Sequence, residues 1–396
     1  MPLKRVYVLF RLLLTGAIPF LLTACAHLPA PTGPVPGAER TELVLQKLEG
    51  KRVGLVVNQS SRVRGRHLID VLQDEGVNVV RLFAVEHGIR GNKSAGAPVK
   101  SGVDGPSGLK VISLYGQNRA PRVTDVAGLD VMVFDLQDVG VRFYTYLSSL
   151  HYVMQSCARF HVPLIVLDRP NPNIMYVDGP VLEPQFRSFV GMEEVPLLHG
   201  MTLGELALMI NGEGWLGDGL KCDLTVIPVK NYTRHTPYVL PVRPSPNLPN
   251  AQSVRLYPSL ALFEATSISV GRGTDFPFQV LGGPHKGFGD FIFTPRSIPG
   301  TALHPKHEGE TLYGTDYRKA DIGGLEIGLF LDWRERARDL GVPFLTRPAW
   351  LDKLMGTDRF RKQIQAGLDA EAIRRSWQKG LSDFKRRRKP YLLYPP

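Results

Sequence analysis

The sequence predicts an α/β fold: a parallel, doubly wound sheet followed by a smaller α+β region. Three observations point there. Apolar runs of strand length alternate with stretches of helical period from Arg52 to about residue 212, as in consecutive βαβ units. Polar clusters fall just past the carboxyl ends of those runs, the edge where open α/β sheets bind ligands. Beyond Pro241 the texture changes to short segments broken by Pro and Gly.

The elements follow in order. Arg52 to Val57 (RVGLVV) reads as a buried strand, Gly65 to Glu75 as a helix, and Val77 to Val85 as the second strand. Leu109 to Tyr115 and Leu129 to Asp135 are further strands. Tyr144 to Phe160 has helical spacing through Leu147, Leu150, Val153 and Met154, and Val162 to Asp168 (VPLIVLD) is the next strand. Thr202-Leu203-Gly204-Glu205 has the form of a capping box, which opens a helix ending near Gly212. This organisation gives an α/β domain over residues 40–240 and an α+β domain over 241–396. No repeat of solenoid period is present.

The chain has 396 residues, 43% hydrophobic and 21% charged, enough to bury a core. Forty Gly and 32 Pro count against a coiled coil, and three Cys exclude a disulfide scaffold. At the N-terminus Lys4, Arg5 and Arg11 precede an apolar stretch from Leu12 to Leu22, too short to span a bilayer and laid out like a signal peptide. It ends in Leu22-Thr23-Ala24-Cys25, which resembles the bacterial lipobox; the plainer alternative is a secretory signal with an incidental Cys. Under the first reading residues 1–24 are removed, Cys25 carries the lipid, and 25–39, rich in Pro, forms a tether. Ala26 in place of Asp implies, by resemblance to Gram-negative lipoproteins, the outer membrane facing the periplasm. The net charge of +11 would suit a nucleic-acid binder, but it falls to +8 without the leader. Five more positives lie in residues 385–389, which meet an anionic surface or end a solvated helix, and the remaining body is only mildly basic. No nucleic-acid module is recognisable.

Four clusters mark the predicted site edge: VVNQSS after the first strand, Glu86-His87-Gly88-Ile89-Arg90-Gly91 after the second, Asp135 to Tyr144 after the fourth, and Asp168-Arg169-Pro170-Asn171-Pro172 after the fifth. Neither GxGxxG after the first strand nor a P-loop is present, which argues against a nucleotide site, and no GxSxG elbow surrounds any Ser. Glu86 stands out, because a carboxyl beside an apolar run loses solvation and gains general-acid character; an ion pair with Arg90 or Arg142 is the structural alternative. Asp135 and Asp138, three apart, share a face if the chain turns helical there, as a second carboxylate or as helix caps. His87 is a proton shuttle, a metal ligand or a hydrogen-bonded core residue, and no HxxH, HxH or HExxH pattern supports the metal role. Gly271-Arg272-Gly273-Thr274-Asp275 is a Gly-rich loop that lines substrate or turns, with Arg272 its binding candidate. Cys157 and Cys222, in apolar or mixed surroundings, are expected to be inert.

Six ordered motifs then carry a family resemblance. They are Phe83-Ala84-Val85-Glu86-His87-Gly88-Ile89-Arg90-Gly91, DLQDVGVRFYTY (Asp135 to Tyr146), Asp168 to Pro172, Pro196-Leu197-Leu198-His199-Gly200-Met201-Thr202, Pro244-Ser245-Pro246-Asn247-Leu248-Pro249 and Gly271-Arg272-Gly273-Thr274. The set resembles the NamZ-type exo-β-N-acetylmuramidases over about residues 40–396. The resemblance implies a Rossmann-like, mostly parallel sheet domain, a smaller C-terminal domain and a cleft between them. It also implies release of N-acetylmuramic acid from non-reducing ends of peptidoglycan fragments, without a cofactor or metal, and with Glu86 as the acid. Val85 stands where the family commonly has Pro, and Tyr313-Gly314 where a Cys-Gly pair is expected.

Such hydrolysis needs an acid and a second group, for which Asp135 or Asp138 is the candidate; attack by the sugar's own 2-acetamido group is the alternative. Arg90 and Arg142 are candidates to grip the lactyl carboxylate. Asn58, His87, Gln137, Tyr144 and Asn171 are candidates for sugar contacts, and Phe143, Tyr146 or Phe276 for stacking. Two rival readings stand beside this: a non-catalytic lipoprotein that binds cell-wall saccharides, and a metal-dependent hydrolase using Glu86, His87 and Asp135. A homodimer is compatible with all three.

Overall fold

Val53–Val57 (β1) is apolar and buried along its whole length, which suits a strand in mid-sheet covered on both faces. In the computed structural model, which describes residues 33–94 and 96–396, it pairs in parallel with Val79–Ala84 (β2) on one side and Val131–Asp135 (β5) on the other. Beyond β2 lies Lys110–Ser113 (β4), edged by the short antiparallel strand Gly102–Val103 (β3). Beyond β5 lie Leu164–Leu167 (β6) and Leu224–Ile227 (β7), also parallel. The order is β7-β6-β5-β1-β2-β4-β3. The expected mostly parallel sheet is therefore present. Its edge strand β7 lacks a clean apolar run and escaped the sequence reading.

Helices cover the sheet. Leu68–Asp74 (α1) packs on one face with Val71 and Leu72 buried. Tyr146–Arg159 (α2) buries Leu147, Leu150, Val153 and Met154 against the other, the stripe its spacing foretold. Leu203–Gly212 (α3) opens on the expected capping box: Glu205 N donates to Thr202 Oγ1 and Thr202 N to Glu205 Oε2. After Ala251–Leu260 (α4) comes a three-stranded antiparallel sheet of Val280–Gly283 (β8), Phe291–Phe293 (β9) and Leu312–Asp316 (β10), with β10 central. Ile327–Asp339 (α5) and four shorter helices complete the chain. One apolar core runs through both regions, joining Val56 and Phe134 to Phe263, Trp333 and Phe384.

Cys25, the leader and the start of the tether lie outside the described residues. The tether's expected end is docked: Val35 exchanges backbone hydrogen bonds with Lys230, Gly37 N donates to Asp168 O, and Ala38 is buried. The basic run near the C-terminus is partly consumed as well. Arg387 donates to Glu194 O, and Arg388 to His199 O and Gly200 O.

At the end of β5, Asp135 is fully buried and takes Arg169 Nε at 2.5 Å and Nη2 at 2.8 Å, which ties β5 to the segment after β6. The Arg169→Met variant leaves that carboxylate buried without its partner and is expected to lose roughly 3–5 kcal/mol of unfolding free energy in urea titrations. A loss below about 1 kcal/mol would mean that the pair is not a structural tie.

Candidate active site

The strand order reverses at β1, so the segments leaving β2 and β5 diverge from the same carboxyl edge and open a crevice. A small, partly open pocket occupies it, walled by Glu86, His87, Phe143, Tyr144, Thr145 and Tyr146 from this edge. Ser245, Asn247, Leu248, Tyr257, Arg272 and Phe278 close it from the C-terminal region.

Glu86 sits two residues past β2. Its Oε1 accepts from Gly96 N at 3.1 Å and Tyr115 Oη at 3.0 Å, and its Oε2 from Thr145 Oγ1 at 2.7 Å. The carboxyl group is thus held in one orientation by three segments, and neither Arg90 nor Arg142 pairs with it. His87 next to it has φ +70°, uncommon for a residue with a side chain, and its Nδ1 lies 2.9 Å from Lys93 O. Burial holds His87 below the usual histidine range, so it faces the pocket as a neutral ring.

The aromatic wall is a chain of edge-to-face contacts. Tyr144 and Tyr146 centroids lie 4.8 Å apart, Phe143 and Tyr257 5.3 Å, and Tyr257 and Phe278 4.9 Å. Asn58 Nδ2 donates to Tyr146 Oη at 2.8 Å, and Tyr144 Oη donates to Pro244 O at 2.8 Å. Arg272 closes the wall, its Nε donating to Glu264 Oε1 at 2.7 Å.

Of the residues singled out in the sequence, Glu86, His87, Tyr144 and Arg272 meet at the pocket, with Phe143 and Tyr146 among the aromatics. The others do not. Asp135 is spent on Arg169. Arg90 is held by Asp104 through Nε at 3.0 Å and Nη2 at 2.7 Å. Arg142 is fully buried, donating to the carbonyls of Pro180, Val195 and Leu354, and burial lowers its pKa to about 9. Gln137 donates to Asp138 O and Pro170 O, and Asn171 to Met201 O, so both tie loops together. Asn58 acts one layer back, on Tyr146. Phe276 packs with Phe291 and Phe293 outside the pocket, and Phe278 takes the place foreseen for it. Among the described residues no group of three or more His, Cys, Asp or Glu is arranged to hold a metal, and Asp135 does not join Glu86 and His87. Cys157 and Cys222 are buried thiols whose pKa values burial raises.

Asp138 is also behind the wall, and no helix begins there for it to cap. Its Oδ2 accepts from Gly140 N at 2.6 Å, Oδ1 has no partner, and His199 Nε2 stands 3.9 Å from Oδ2. Burial pushes Asp138 up to about 7 and His199 down to about 3.

The sequence reading missed Tyr115 and Thr145, which hold Glu86, and Ser245, Asn247, Tyr257, Phe278 and Glu264. The Asp135-to-Tyr146 motif contains Thr145 and the Pro244-to-Pro249 motif contains Ser245 and Asn247, but neither assigned them a role.

Comparison with known proteins agrees with this layout. The family descriptions "Exo-beta-N-acetylmuramidase NamZ, N-terminal" and "C-terminal" match residues 53–252 and 255–394. A peptidoglycan beta-N-acetylmuramidase NamZ of Bacillus subtilis (strain 168) is 36% identical over 373 residues, covering 88% of each chain. A crystal structure of a DUF1343 family protein from Bacteroides fragilis superposes with a TM-score of 0.82 at 41% identity, covering 91% of this chain and 99% of its own. A second from the same organism gives 0.78 at 29%, covering 92% and 100%.

Asp138 supplies a pH test. Its folded-state pKa of about 7 lies above the unfolded value of roughly 3.9. The folded chain therefore keeps a proton that the unfolded chain releases, a contribution complete below about pH 4 and lost as pH rises to about 7. Asp138→Asn lacks this loss, so its stability relative to wild type is expected to climb with pH by up to ~1.4 kcal/mol per unit across that window. Denaturant titrations at several pH values read it, and a flat difference would contradict a buried neutral Asp138.

Proposed function

The chain belongs to the NamZ exo-β-N-acetylmuramidase family, and from that premise we propose that its pocket takes the terminal muramic residue of a peptidoglycan fragment, with Glu86 as acid and base. The observation that carries the reading is that Glu86 is the only carboxylate among the described residues lining the pocket. A pocket closed by an aromatic wall also suits one terminal sugar better than a continuous chain.

With one carboxylate at hand, the second group comes from the substrate. Glu86 gives its proton to the glycosidic oxygen as the bond from that oxygen to the anomeric carbon breaks. The 2-acetamido carbonyl oxygen forms the new bond to that carbon, closing an oxazolinium ring, as in substrate-assisted glycosidases. Water then adds to the anomeric carbon as that carbon's bond to the oxazolinium oxygen breaks, which restores the acetamide, and the water gives a proton to Glu86. Thr145 and Tyr115 keep the carboxyl in place through both steps, and Tyr144, Tyr146 and Tyr257 exclude water around the ring.

The N-terminal sequence supports a lipid anchor at Cys25, with the body in the periplasm on an outer-membrane tether. Labelled fatty acid is expected in the wild-type protein and absent from Cys25→Ala; equal label in both would refute the anchor. For the site itself, wild type is expected to release N-acetylmuramic acid from a MurNAc–GlcNAc disaccharide equally with and without chelator. Glu86→Gln should fall by about 10²–10⁴-fold. Full activity in that variant contradicts the assignment of the acid, loss with chelator favours a metal-dependent hydrolase, and no turnover by either protein favours a binding lipoprotein.

A further inference from the structure

N-acetylmuramic acid differs from N-acetylglucosamine by one group, a lactyl ether whose carboxylate is charged at neutral pH. A site that distinguishes the two sugars needs a cation where that group falls. Arg90 and Arg142 are both committed elsewhere, as described above. Lys306, close by, is also occupied, its Nζ donating to the carbonyls of Phe263, Thr266 and Ile268.

Arg272 differs from all three. Among the described residues it is the one permanently charged cation lining the pocket. Glu264 takes its Nε, and its guanidinium carbon lies 4.9 Å from the Phe278 ring centroid, which fixes the plane of the group. Among the described residues neither terminal nitrogen has a hydrogen-bond partner, and a quarter of the side-chain surface is open. Those two nitrogens form the fork that matches a carboxylate.

The loop that presents the fork is built to one shape. Gly271 and Gly273 have φ of +76° and +83°. A Cβ on Gly271 would lie 2.6 Å from Val280 Cγ2, and one on Gly273 would lie 2.6 Å from Arg296 O. Thr274 Oγ1 donates to Gly271 O at 2.6 Å, closing the turn across Arg272.

We infer that Arg272 binds the lactyl carboxylate of the muramic residue, and that this contact sets the preference for muramic acid over N-acetylglucosamine. The inference rests on the muramidase reading above. It carries a consequence for substrate class. In peptide-bearing muramic acid the lactyl carboxylate is an amide, which is neutral, so the site selects peptide-free fragments.

Three 4-nitrophenyl β-glycosides test this: that of N-acetylmuramic acid, its lactyl amide, and that of N-acetylglucosamine. Wild type is expected to favour the free acid over the amide by roughly 10- to 100-fold in kcat/KM, carried by KM. Arg272→Met should lose a similar factor on the acid while its rates on the amide and on N-acetylglucosamine stay near those of wild type. Equal wild-type rates on acid and amide overturn the inference without relying on any variant folding. Equal losses on all three glycosides in a variant that melts like wild type also overturn it, showing that Arg272 acts on Glu86 instead. No hydrolysis of any glycoside by wild type removes the muramidase reading itself, and the inference with it.

Discussion

The constraint on which the rest depends is the reversal of strand order at β1. The chain goes from β1 to β2 and β4 on one side, then returns to lay β5, β6 and β7 on the other. Parallel strands joined by crossovers of one hand leave the segments after β2 and β5 side by side at the same edge but heading apart. Glu86 and His87 stand at the first exit, and Tyr144, Thr145 and Tyr146 at the second. The gap between the exits is then roofed by residues from 245 to 278, so the pocket exists only when both regions share their core.

Holding such a crevice open takes many polar ties, and most acids of the site-edge motifs serve that purpose. Asp135 joins β5 to Arg169, and Asp104 anchors Arg90. Asp168 accepts from Thr202 Oγ1, Gly204 N and Tyr394 Oη, fixing the start of α3 and the C-terminal segment to β6; burial still raises it to about 6. Glu205 pairs with Arg234 at 2.5 Å. Asp135 and Glu205 are matched by arginines and Asp168 by three donors, because an unmatched buried charge costs several kcal/mol, whereas burial keeps Asp138 protonated. Glu86 is different: held by neutral donors, as Asp168 is, it alone of these acids opens on the pocket. That contrast, rather than its place in a motif, marks it for chemistry.

The sheet was legible because buried parallel strands are continuous apolar runs, as in RVGLVV and VPLIVLD, and α2 because its apolar stripe keeps helical period. Strand β7 and the C-terminal strands were not, since they are only three to five residues long and, apart from the buried but Gly-ended β8, partly exposed. Glu86 could be read from its place at a strand end. The same rule misassigned Asp135, Gln137, Asn171, Arg90 and Arg142, because a strand-end turn also needs polar side chains to satisfy its own buried backbone groups. The roles of Tyr115, Tyr257, Phe278 and Glu264 arise from tertiary contacts between distant segments. No local pattern encodes them. The resemblance carried by the six motifs supplied the family, while the structure decided which motif residues face the pocket.

The central claim is that a pocket with one carboxylate draws its second reacting group from the substrate. The most direct measurement is kcat/KM on 4-nitrophenyl β-muramides whose 2-acetamido group carries zero, one, two or three fluorines. Fluorine drains electron density from the attacking carbonyl oxygen, so the account predicts a steep, monotonic fall in rate along the series. Rates that stay level across it would contradict the account and require a protein group to attack or to activate water in its place.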